Sequence, residues 1–406
     1  MPSSISWLDF SEADQRRARE IVQLFSQQDS RDELGIGTIR DALSDAMFPG
    51  ISVLQSRARY LLFVPWLFRR AERRSGRASD RVVWVHNQER RLIESLRRGG
   101  DDSGLIGKVA GVRLKIVPSM IYWSALHRFG ILRHGGTQEQ IAGTAGQPSS
   151  LEEALTELVE RGDGVWDPNI PSPPDGFFDM DVASFVLTHS EADWLAERVV
   201  TSVPGTLLAW LAESGTTLTG TTAAWEDALV SRAPAPIRET VHHAEMFSLV
   251  LLGAALLYNL LLAERAQQIG LTQYADKRDE FEGLLRDWSA EMEAARTALT
   301  SWDRAAFWKL VTDINPRVAF ATRMFVERWI DLSVAAPGSL AHDDDARRMV
   351  ATRERQQKGS QARLVNDRLL QQWGGNSGGK RITFRWSQVQ QILNDICSGR
   401  SARAGT

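Results

Sequence analysis

Residues 246–263 read MFSLVLLGAALLYNLLLA, the longest apolar run in the 406-residue chain. As a helix this run rises roughly 27 Å, the lower edge of what crosses a bilayer core. Ser248, Tyr258 and Asn259 lie inside it, Glu245 and Glu264 bound it, and no excess of Lys or Arg flanks it. Membrane spans take their orientation from such a cationic excess. A helix buried on every side of an α-helical domain needs the same all-round apolarity. That reading fits the flanks, so no membrane contact is expected and the fold class is mainly α.

The neighbours of the run extend the same pattern. From Ser190 to about Ser333 nearly every segment reads as helix. His242, His243 and Glu245 stand just ahead of the run, but adjacent histidines diverge by about 100° on a helix. His242 with Glu245 lacks a third ligand, so structural use is expected and no metal is assigned. His342–Arg347, HDDDAR, clusters three carboxylates where a helix begins, and a solvated cap explains them. Asp175, Asp179 and Asp181 are equally weak as a metal site. Residues 162–182 carry four prolines between Pro168 and Pro174. They predict an extended segment laid over a surface, held by Trp166, Phe177 and Phe178.

Towards the N-terminus, Ser11 and Asp14 predict a capped first helix. Gly35 and Gly37 break the chain before a short helix from Ile39 to Met47. Phe48-Pro49-Gly50 is a turn, and a longer helix follows from Val53 to Arg70, interrupted or kinked at Pro65. Arg81–Val85 (RVVWV) and Val112–Val117 (VRLKIV) read as short strands. Pro118–Ile131 is a compact helix stopped near Gly130, and Ser150 with Glu153 opens another capped helix. In the tail, a basic helix near Gln361–Trp373 precedes a strand, Arg381–Trp386 (RITFRW), and a last helix from Ser387. That order is winged-helix-like. The expectation is therefore a mainly α chain, with a small mixed α/β N-terminal part and a short C-terminal strand-helix element. Its segments would be a basic 1–135, an acidic helical 136–345 and a basic 346–406.

Charge supports that division. Residues 1–135 hold 22 Lys and Arg against 15 Asp and Glu, residues 136–345 hold 14 against 33, and residues 346–406 hold 12 against 3. Basic ends around an acidic middle meet either an outside polyanion or the chain's own acids. Cys397 is the one cysteine, which excludes an internal disulfide and fits a reducing cytoplasm. The N-terminus lacks a basic start followed by an apolar core, so no export signal is expected.

The basic residues are the clearest lead to function. Six arginines fall between Arg69 and Arg81. In the tail, Arg347, Arg348, Arg353, Arg355, Lys358, Arg363, Lys380, Arg381 and Arg385 are candidates for holding phosphate, with Phe384 or Trp386 stacking on a base. Arg57 and Arg59 adjoin the apolar LLFVPW. Two helices folding back across the Pro49-Gly50 turn would pair them with Asp41 and Asp45, since charges beside an apolar surface are tolerated when paired. The chain has no G-x-x-x-x-G-K-[ST] loop, no G-x-S-x-G elbow and no Cys/His nucleophile pair. Gly35–Gly37 lacks the third glycine of a dinucleotide fingerprint. No cofactor and no small-molecule substrate is indicated. Dispersed carboxylates leave no signature, so a metal-dependent nuclease stays an alternative.

The segments SWLDFSEADQRRARE, ELGIGTIRDALSDAMFPGISVLQSRARYLLFVPWLFR, PSMIYWSALHRFGI, RLVNDRLLQQWGG and FRWSQVQQILNDI resemble landmarks of a bacterial family that is itself of unknown function. The resemblance runs from end to end and implies a full-length, non-modular unit. It also implies a place near helicases and phospholipase-D-like nucleases in anti-phage defence loci, hence a DNA-linked accessory role. It supplies no catalytic residues. The expected protein is a non-enzymatic, cytoplasmic accessory subunit. It would touch nucleic acid through basic termini and a helicase or nuclease through its acidic middle. A protein-only scaffold is the alternative.

Overall fold

The apolar run lies inside one helix, Ala235–Gln268, and 83% of the run's most apolar 18-residue window is buried. The computed structural model describes residues 32–100, 102–143, 164–179 and 183–402. The helices expected from Ser11 and from Ser150, and Asp181, lie outside the described residues. Within them are fifteen α-helices and no strand. The chain divides into two units. As far as described, the first holds 48–222 and 385–402, and the second holds 32–47 and 223–384. The basic tail is thus shared between them.

Helix α1 (Gly37–Met47) belongs to the second unit. The first unit follows with α2 (Tyr60–Glu72), α3 (Ala78–Arg98), α4 (Pro118–Arg128), α5 (Gln138–Gly143), α6 (His189–Ser202) and α7 (Leu207–Ser214). The second resumes with α8 (Ala235–Gln268), α9 (Lys277–Ala294), α10 (Arg296–Ser301), α11 (Arg304–Ile314), α12 (Phe320–Ala335), α13 (Asp344–Lys358) and α14 (Asp367–Leu370). Helix α15 (Trp386–Ser401) closes the first.

In the first unit α2 packs against α3 and α4, while α6, α7 and α15 pack together. Helix α2 is buried almost all round, with Tyr60, Phe63 and Trp66 in a ring cluster that takes in Phe177 and Phe185. Trp66 Nε1 donates to Pro171 O at 2.6 Å, and Trp166 Nε1 donates to Glu72 at 2.8 Å. The proline-rich segment is laid over α2 by these contacts.

Helix α2 starts at Tyr60 rather than Val53, for a specific reason. Ser56 and Arg57 give their backbone N–H groups to Tyr122 Oη at 2.8 and 3.0 Å, and Ala58 gives its own to Asp395 at 2.9 Å. Side chains of α4 and α15 have taken the amides that a helix would use.

The expected strands are absent. Arg81–Val85 lies within α3, whose buried Val82, Val85, Glu89, Leu92 and Leu96 recur at three and four residues. Val112–Val117 forms a 3₁₀ turn, Gly111–Arg113, and an irregular lead into Pro118. Arg381–Trp386 is irregular until α15 begins at Trp386, so the tail has no wing. Among the described residues the one β-type pairing outside a strand joins Leu132 to Trp166.

Glu89 sits 1% exposed on α3 and accepts from Ser119 N at 2.6 Å and Ser119 Oγ at 2.8 Å, at the start of α4. Burial pushes its carboxyl up to about 8, against the pull of those two donors. The folded chain therefore keeps a proton that the unfolded chain releases near 4.5. Stability should fall as pH rises through that window and level off above 8, by up to about 5 kcal/mol. Urea midpoints of wild type and Glu89→Gln measured across it check this. The difference between them should shrink to nothing at the acid end, and a difference that does not vary with pH would contradict the assignment.

In the second unit α8 is the centre, with α1, α9, α12 and α13 packed onto it. Trp288 of α9 and Trp329 of α12 each donate an indole N–H, at 2.8 Å, to the successive carbonyls of Leu249 and Val250 on α8. His243 is 4% exposed, and its Nδ1 accepts from Trp302 Nε1 at 2.9 Å. Burial pulls its pKa down, which keeps that acceptor neutral. Asp343 caps α13 through Ala346 N at 2.7 Å.

Candidate nucleic-acid interface

The arginines beside LLFVPW are both buried and both paired within the first unit. Arg57 Nε meets the Asp395 carboxylate at 2.9 Å, and its guanidinium lies 4.6 Å from the Phe185 ring. Arg59 meets Glu191 at 2.8 Å and Ser184 O at 2.8 Å. Its partner is thus Glu191, and not Asp41 or Asp45 as the turn suggested. Glu191 also closes a capping box at the start of α6, accepting from Thr188 N at 2.9 Å. Asp41 pairs with its neighbour Arg40 at 3.1 Å, and Asp45 is exposed on the same helix.

Most of the tail residues expected to hold phosphate are engaged inside the protein. Arg353 is 2% exposed and donates to Leu34 O at 2.7 Å and to Thr322 Oγ1 at 2.7 Å. Arg363 and Lys358 converge on the buried Glu33 at 2.8 and 3.4 Å. Arg347 is paired with Glu264, Arg348 with Asp345 on the surface, and Arg381 with Glu291 at 3.0 Å. Arg385 donates to Ile51 O at 2.6 Å. Arg355 and Lys380 are the two exposed members of the set with no partner among the described residues. The rings expected to stack on a base are buried. Phe384 is 2% exposed, and Trp386 is fully buried with its Nε1 donating to Thr221 at 3.1 Å.

An exposed cationic surface exists elsewhere, on the first unit where α2 turns into α3. Arg69 and Arg70 end α2, where cations oppose the helix dipole. Arg73, Arg74 and Arg77 occupy the turn, all exposed. Arg81 ties the turn down by donating to Arg74 O at 2.9 Å and to Ala142 O at 2.8 Å. The guanidinium of Arg70 lies 5.2 Å from the half-buried ring of Phe178, and that of Arg74 lies 4.8 Å from Trp84. Arg77 meets Asp80 at 3.4 Å in an open, weak pair. Arg69, Arg70, Arg73 and Arg74 make no salt bridge among the described residues, and the Glu72 carboxylate feels Arg69 and Arg73 only at longer range.

The surface continues along α3. Arg77, Trp84, Arg91 and Arg98 recur every seven residues, drifting only about 20° per step, so they form one stripe roughly 31 Å long. The arginine run was visible in the sequence. Its exposure was not, and none of its members entered the expected contact set. Among the described residues, no three of His, Cys, Asp and Glu gather as a metal site.

No curated protein and no solved structure matches the chain. Residues 2–399 match the profile of a family of unknown function (DUF6361), and the chain belongs to that family.

Proposed function

We propose that this chain is a nucleic-acid-contacting accessory protein of a bacterial DNA-processing or anti-phage defence complex, without catalytic activity of its own. One observation carries the reading: four exposed arginines at the α2–α3 turn make no salt bridge among the described residues, and two of them are braced over aromatic rings. Guanidinium groups left in that state keep their full charge for an outside polyanion, and their planar forks suit phosphate oxygens. Bracing over Phe178 and Trp84 lowers the entropy lost on contact. The acidic segment 136–345 would repel the same polyanion and instead docks a protein partner, a helicase or nuclease being the kind expected. The single cysteine, Cys397, supports a cytoplasmic setting.

Binding of a labelled DNA duplex across a salt series tests the proposal. Four phosphate contacts give a slope near −3.6 in log K against log salt, so affinity falls roughly 150-fold between 50 and 200 mM. A flat response, or no binding at the lowest salt, would leave the protein-only scaffold as the better reading.

A further inference from the structure

Two polar residues interrupt the apolar surface of α8 on one side. Ser248 and Asn259 are eleven residues, or three turns, apart, so they share a face with Leu251, Leu252 and Ala255 between them. Both are fully buried. Ser248 Oγ donates to Ile382 O at 2.9 Å. Asn259 grips Ser377 twice, its Nδ2 donating to Ser377 O at 2.9 Å and its Oδ1 accepting from Ser377 N at 2.6 Å. The segment Ser377–Ile382 is therefore a strap tied to α8 at both ends. The strap runs antiparallel to the helix, with bends at Ser377, Gly378 and Lys380.

Beside the strap lies a cleft of about 420 Å³. Leu251, Leu252 and Ala255 form its apolar floor, and Arg40, Lys380 and Arg381 stand at its edge. The two acids in its wall are already committed. Asp32 caps α1 by accepting from Ile36 N and Gly37 N at 2.8 and 2.6 Å, and Glu33 holds Arg363 and Lys358. The middle of the strap is committed at one amide, Gly379 N–H, which donates to Asn376 Oδ1 at 2.8 Å. The backbone N–H groups of Gly378 and Lys380 have no acceptor among the described residues, and the Lys380 ammonium has no carboxylate. Gly378 takes φ +68° with open space where a side chain would stand, so its amide is approachable.

The geometry points to a second binding site, in the second unit, for a phosphate-bearing small molecule of mononucleotide size. The phosphate sits on the Gly378 and Lys380 amides and the Lys380 ammonium, as anions sit in other glycine-rich backbone cradles. The ring body lies on Leu251, Leu252 and Ala255. The run Gly374–Lys380 carries the glycines and lysine of a phosphate loop, but Arg381 stands where that loop has the hydroxyl that takes Mg²⁺. Binding rather than hydrolysis is the assigned role.

Calorimetric titration of the full chain with AMP, adenosine and inorganic phosphate decides the matter. AMP should bind saturably, with adenosine at least about tenfold weaker, and Lys380→Glu should weaken AMP by about tenfold or more. Lys380 is exposed and has no ion pair among the described residues, so this variant should fold as the wild type does. No saturable AMP binding, or equal binding by Lys380→Glu, would overturn the assignment. Duplex binding through the α2–α3 arginines should be unchanged in Lys380→Glu, so the two proposals fail or stand separately.

Discussion

Replacing Arg69, Arg70, Arg73 and Arg74 together by alanine is expected to weaken duplex binding by about a hundredfold at low salt and to flatten the salt slope by three to four. The expectation follows from what these side chains lack. A guanidinium held in a salt bridge must lose that partner before it neutralises a phosphate, and these four make no salt bridge among the described residues. The fold should survive, because the groups are exposed and make no ion pair among the described residues. Arg70 and Arg74 each give up a ring contact, costing roughly 0.5–1 kcal/mol apiece at such sites. The matching lysine variant separates charge from shape. Counterion release counts charges, so lysines should restore most of the slope. An alanine variant with an unchanged slope would move the contact elsewhere and reduce this surface to ordinary solvated charge.

The same comparison explains why the tail misled. In sequence its 12 cations face 3 acids, which leaves an outside polyanion and the chain's own distant acids both open. The acids that take them are Glu33, Glu264 and Glu291, brought from between 83 and 330 residues away. Likewise Arg57 and Arg59 find Asp395 and Glu191, 338 and 132 residues distant. Charge counting along a chain sees local balance only, whereas ion pairing in a helical protein is set by which helices meet.

Other features were local enough to be legible. The buried central helix followed from apolar length with uncharged polar residues inside it and acids at its ends. The hold of Trp166 and Phe177 on the proline-rich segment followed from aromatics spaced around prolines. The strand readings failed for want of length. Four β-branched and aromatic residues in Arg81–Val85 fit either period, and only the wider window through Leu96 shows the helical spacing. The strap cleft left a faint trace, an Asn and a Ser eleven apart in an apolar helix, but nothing in the sequence says that both reach for the same segment.

Two glycines on facing helices should respond in opposite directions to the same substitution. Gly253 lies in the apolar run of α8, and a Cβ there would stand 2.3 Å from the ring of Trp288 on α9. No rotamer of alanine avoids this, since Cβ is fixed by the backbone. The ring cannot withdraw cheaply, being 1% exposed and anchored by its N–H to Leu249 O. Gly253→Ala should therefore cost about 3 kcal/mol or more, by forcing the two helices apart or breaking that hydrogen bond. Gly283, in the middle of α9, meets nothing within 4 Å of the same added carbon. There alanine only narrows the unfolded ensemble and favours the helix, so Gly283→Ala should stabilise by roughly 0.5–1 kcal/mol. Urea unfolding of both variants measures the contrast. Equal and small effects would mean that α8 and α9 do not approach each other as closely as the Trp288 contact requires.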